Sequence, residues 1–73
     1  MSVRSVEIRY GLTPRQWEVL KYLVDGLSDR DIALRMDVSV YTVNKHVGAV
    51  RQKLGVASRT EAAVKAIREG LLG

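Results

Sequence analysis

Apolar residues recur at helical spacing in four stretches of the chain, and each stretch opens on a capping signal. Thr13-Pro14-Arg15-Gln16 is a capping box with proline at the first helical position, where its missing N–H costs nothing. Val19, Leu20, Leu23 and Val24 then form one apolar stripe that stops at Asp25-Gly26. Ser28 caps a second helix, with Asp29 and Asp31 well placed in its first turn. Its apolar side is Ile32, Ala33 and Met36, and it ends around Asp37. Ser39 caps a third helix that runs to Leu54 before Gly55, with Val43, Val47, Val50 and Leu54 as a narrow seam. Ser58-Arg59-Thr60-Glu61 reads as another capping box and opens a fourth helix through about Glu69. Upstream, Val6, Ile8 and Tyr10 alternate with Glu7 and Arg9, which predicts a short extended arm or linker stub over residues 1–11. A single such segment cannot make a sheet. The pattern predicts an all-α domain of four helices over residues 12–73.

The third helix has a second, different face. Opposite the valine seam lie Tyr41, Asn44, Lys45, Gly48, Arg51 and Gln52. These are polar groups able to read or grip nucleic acid, with a glycine that lets the backbone approach closely. Only about three residues separate the second and third helices, the short connection of a helix-turn-helix. In that motif the second helix enters the major groove and its N-terminal residues reach base edges.

Charge reinforces this reading through its distribution. The net +4 arises from 12 basic and 8 acidic residues. Residues 1–37 hold six of each sign and cancel, so the whole excess lies in residues 38–73. From Val38 to Thr60 there is no acid at all, while Lys45, Arg51, Lys53 and Arg59 are basic. A phosphate backbone repels carboxylates as firmly as it attracts lysines.

Other chemistries find little support. With no cysteine and one histidine the chain offers no disulfide scaffold, thiolate zinc site, thiol nucleophile or multi-histidine metal site. His46 lies at the edge of the apolar seam, one turn from Val43 and Val50, and reads as a packing and hydrogen-bonding residue. Trp17, one turn before Leu20, reads as a flank of the core. A triad can be written from Ser39, His46 and Asp37, but no oxyanion hole or substrate pocket is implied, and Ser39 is more simply a cap. No catalytic function, metal or cofactor is expected. No apolar run approaches the ~18 residues of a membrane span, and no signal peptide follows Met1. A cytoplasmic protein without membrane contact is expected.

The residues also match a family pattern. Leu12-Thr13-Pro14-Arg15, Glu18-Val19-Leu20, Gly26-Leu27-Ser28, Asp31-Ile32-Ala33, Val38-Ser39, Thr42-Val43, His46, Lys53-Leu54-Gly55-Val56 and Ser58-Arg59 resemble the LuxR/GerE/FixJ-type DNA-binding domain. The resemblance runs from Leu12 to about Leu72. It implies a four-helix domain, a homodimer on inverted half-sites of double-stranded DNA, and service in the bacterial nucleoid as the output module of a transcription regulator. RNA polymerase is a further partner on that reading.

Carried over position by position, Asn44, Lys45 and Gly48 fall where the family contacts bases, and Gln52 joins them from the same face. Arg30, Ser39, Thr42, Arg51, Lys53 and Arg59 fall at expected phosphate contacts, with Tyr41 beside them. On the fourth helix Ala62, Ala63, Ala66 and Ile67 form one apolar stripe, with Val64 and Leu71 on another side. One stripe closes the core; the resemblance assigns Val64, Ile67, Arg68 and Leu71 to a self-complementary dimer contact. Two positions depart from the pattern. Asp37 stands where glycine is usual in the turn, and Gly48 where a long polar side chain is frequent. Two other readings fit the pattern less closely: a sigma-factor-like promoter reader, and a helical adaptor that binds protein and no nucleic acid.

Overall fold

A computed structural model describes residues 10–72. They form four helices, α1 (Pro14–Val24), α2 (Asp29–Met36), α3 (Val40–Leu54) and α4 (Arg59–Arg68), with no strand among the described residues. The extended arm expected from the N-terminal alternation lies outside the described residues except at its end. There Tyr10 is helical rather than extended and packs against the core.

The helix starts are those the caps predict. Thr13 accepts from the Gln16 N–H at 3.2 Å while Gln16 Oε1 accepts from the Thr13 N–H at 3.1 Å, a complete capping box. Ser28, Ser39 and Ser58 each accept the N–H three residues on, from Asp31, Thr42 and Glu61. The second expected box is only half made. Glu61 Oε2 accepts from the Ala57 N–H at 2.8 Å instead of from Ser58, satisfying a donor of the preceding turn.

The helix ends share one device. Each helix is followed by a left-handed residue, Gly26, Asp37, Gly55 or Gly70, and the next N–H donates back to a carbonyl five residues earlier. Leu27, Val38, Val56 and Leu71 occupy that next position, the apolar slot of a Schellman motif. Asp37 (φ 57°, ψ 47°) is the one non-glycine among the four.

Packing follows from the stripes. α1 packs on α3 and α4, and α2 packs on α3. Val19, Leu20 and Leu23 of α1 meet Ile32, Ala33 and Met36 of α2 and the four-residue seam of α3 in a single buried core, with Trp17 partly buried at its edge. Ala62 and Ala66 let α4 approach closely. Leu71 completes this side of the core at 1% exposure, so it is removed from the expected dimer surface. The reason is local: the chain turns at Gly70 (φ 61°), and helical spacing no longer gives the direction of Leu71. Conversely Ile67, which shares the stripe of Ala62 and Ala66 by spacing, is 63% exposed.

Candidate nucleic-acid interface

Three residues, Asp37, Val38 and Ser39, connect α2 to α3. The αL conformation at Asp37 reverses the chain, the Val38 N–H closes α2 on Ala33 O at 3.1 Å, and Ser39 starts α3 at once. This turn presents α3 on the outside of the domain. Val43, Val47 and Val50 face inward, fully buried at Val43 and Val50, and the opposite face is open.

On that open face Tyr41 is 71% exposed, and Asn44, Lys45 and Gln52 are exposed, with Gly48 between them partly so. The Asn44 and Gln52 side chains make no hydrogen bond among the described residues. Lys45 Nζ rides 5.6 Å from the centroid of the Tyr41 ring, which steadies a long cation without neutralising it. At the N-terminus of α3, Ser39 Oγ both accepts from the Thr42 N–H and donates to Thr42 Oγ1, each at 3.0 Å. The two hydroxyls are thus set beside the helix's positive end.

The basic side chains expected on phosphate divide into two groups. Arg30 is exposed on α2 and, like Lys45, pairs with no carboxylate among the described residues. Arg51 donates to Ala57 O at 2.9 Å, and Lys53 Nζ donates to Gly11 O at 2.7 Å and Gln16 Oε1 at 2.6 Å. Arg59 is held by an ion pair with Asp29 and by a 3.1 Å hydrogen bond to Leu27 O. The ties of Lys53 and Arg59 were not readable from sequence, because they join residues 30 or more apart along it, and that of Arg51 depends on the path of the turn after α3.

On α4, Val64 (39% exposed), Ile67 and Arg68 remain at the surface. Val64 and Arg68 line a shallow groove of about 360 Å³ together with Val56, Thr60 and Lys65. Lys65 bridges Glu69 at 3.8 Å, donates to Leu54 O at 3.0 Å and lies 5.5 Å from the Tyr10 ring centroid, while Tyr10 Oη donates to Glu69. Among the described residues no group of three or more His, Cys, Asp or Glu gathers, and no helix is long and apolar enough to cross a membrane.

Two helices joined by a three-residue turn, the second exposing a polar and acid-free face, make a helix-turn-helix domain. Residues 10–66 match the family described as bacterial regulatory proteins, luxR family, and the chain belongs to it. It is thereby a LuxR-type DNA-binding domain of transcription regulation. The chain is similar to an HTH-type transcriptional regulator of Mycobacterium bovis, 44% identical over 59 residues that cover 81% of this chain and 7% of that protein. It is equally similar, at 44% identity over 57 residues, to the HTH-type transcriptional regulator MalT of Yersinia pestis, covering 78% of this chain and 6% of that one. The chain thus spans less than a tenth of the length of these relatives.

Proposed function

We propose that the domain, residues 12–73, binds double-stranded DNA sequence-specifically as the output element of a bacterial transcription regulator, with α3 lying in the major groove. Asn44 and Lys45, in the first two turns, read base edges; an asparagine pairs bidentately with adenine and a lysine donates to guanine. Ser39, Tyr41, Thr42, Arg30, Arg51 and Lys53 surround that face and grip phosphates. Two copies meet through Val64, Ile67 and Arg68 of α4 and read inverted half-sites, as a two-fold protein dimer requires.

The observation that carries this reading is the state of Asn44. It is an exposed amide on the acid-free face of α3, it makes no hydrogen bond within the described residues, and it lies apart from the valine seam. Asn44→Ala therefore leaves the melting temperature almost untouched. It lowers affinity for a selected operator about ten- to a hundredfold and relaxes preference at one base position per half-site. Titration of operator and random duplexes by fluorescence anisotropy measures both effects. An equal loss on the two duplexes would mean that this part of α3 grips backbone and that sequence is read elsewhere.

A further inference from the structure

Gly48 sits in the middle of α3, on the strip that carries Tyr41, Asn44, Lys45 and Gln52. A glycine there weakens the helix, since alanine is favoured about fivefold at an interior position. The other described glycines have a backbone reason to be glycine: Gly11, Gly26, Gly55 and Gly70 have φ of 71°, 80°, 71° and 61°. Gly48 has none. Its backbone is right-handed helix, and a Cβ added to it meets no heavy atom within 4 Å. Nothing in the folded chain asks for the missing side chain.

What approaches Gly48 must come from outside. Asn44 lies one turn before it and Gln52 one turn after, and residues four apart share a helix face. Between these two amides Gly48 leaves a notch one side chain wide, floored by the α3 backbone. Asn and Gln both match the major-groove edge of adenine. Any base pair facing the notch presents donors and acceptors that Gly48 has no side chain to pair, so hydrogen bonding there does not choose between pairs. Only an A·T pair adds an apolar group to its major-groove edge, the C5 methyl of thymine, which a notch can receive.

We infer that Gly48 is a specificity-determining residue: its notch brings α3 close to one base pair per half-site and receives the C5 methyl of a thymine. The inference rests on the placement of α3 in the major groove proposed above.

The test uses the 73-residue chain and an operator it selects from random duplexes. Each thymine of the half-site is replaced in turn by deoxyuracil, which removes the methyl and nothing else. The wild-type chain loses about fourfold in affinity at one thymine per half-site, the worth of one buried methyl. Gly48→Ala melts several degrees higher, because alanine favours the helix, yet binds the operator about tenfold more weakly. It regains part of that loss on the deoxyuracil duplex, where its Cβ takes the space of the methyl. Gly48→Leu loses more and is not rescued. Operator binding by Gly48→Ala as tight as wild type, or a deoxyuracil penalty equal in both proteins, overturns the inference. Impaired Asn44→Ala beside unimpaired Gly48→Ala overturns it alone, whereas normal binding by Asn44→Ala removes the major-groove placement and the inference with it.

Discussion

Arg59 separates a fold-fastening role from a DNA-gripping one. By family resemblance it belongs on phosphate. In the structure its guanidinium pairs with Asp29 in the first turn of α2 and donates to Leu27 O in the turn before it. The side chains are 37% and 24% exposed, so the pair is half-screened rather than buried. A fully exposed pair contributes about 0.2–1 kcal/mol, and a hydrogen bond from a charged donor about 1.5–3 kcal/mol. Between those limits, Arg59→Ala costs about 1–2 kcal/mol. For a domain of this size each kcal/mol shifts Tm by about 4–8 °C, so the melt falls by roughly 5–15 °C. Asp29 also favours the α2 N-terminus by itself, worth about 0.3–1 kcal/mol, so Asp29→Ala alone overstates the pair. The double-mutant cycle removes that contribution and isolates a coupling of about 0.5–1 kcal/mol. Thermal and urea unfolding of the four proteins measure it. DNA titrations across salt then ask whether Arg59 also neutralises a phosphate, since each such contact steepens the slope of log K against log[salt] by about 0.9. An unchanged Tm, zero coupling and a slope flatter by about 0.9 would refute the fastening role and return Arg59 to the DNA.

Asp37→Gly raises stability by up to ~1 kcal/mol, because φ 57° is strained for aspartate and free for glycine; a lower melting temperature would show that the carboxylate makes a compensating contact. Leu71→Ala costs about 2–5 kcal/mol as a buried leucine. Ile67→Ala, at an exposed site, stays within about 0.5 kcal/mol in the melt and weakens self-association in sedimentation; the reverse pattern would put Leu71, not Ile67, on the interface.

Most of the architecture could be read from local chemistry. Thr13, Ser28, Ser39 and Ser58 mark the four helix starts, and their bonds are short-range ones that sequence specifies directly. Asp37 was legible too, because a glycine position in the resembled pattern implies a left-handed backbone, which the chain adopts. Leu71 departs from the helical spacing for a local reason. The spacing ends at Gly70, and Gly26-Leu27 and Gly55-Val56 show the same glycine-apolar signature ending a helix. Applied to Gly70-Leu71, that signature turns the leucine inward. Glu61 departs from its capping-box pattern for a related reason: the spacing fixes which residue accepts, while the turn geometry decides whether Ser58 or Ala57 donates. The partners of Arg51, Lys53 and Arg59 were beyond sequence reasoning. Those of Lys53 and Arg59 depend on how separate elements meet, as in the 42 residues between Lys53 and Gly11, and that of Arg51 on the path of the turn after α3.

Those ties also explain how a small domain without disulfides combines fastening with a positive field. Arg51 and Lys53 donate to backbone carbonyls, at Ala57 and Gly11. A carbonyl holds a cation through a partial charge and leaves its formal charge in place. A carboxylate would hold it more strongly and cancel it. Lys53, whose other acceptor is the neutral amide of Gln16, joins the C-terminal end of α3 to the start of α1 while keeping its full charge near the interface. Arg59 is paired with a carboxylate, so its charge contributes little to a phosphate-binding field. The acid-free run from Val38 to Thr60 thus serves two needs at once. It leaves carbonyls as the local acceptors for Arg51, and it keeps the cations that fasten α3 electrostatically available to DNA.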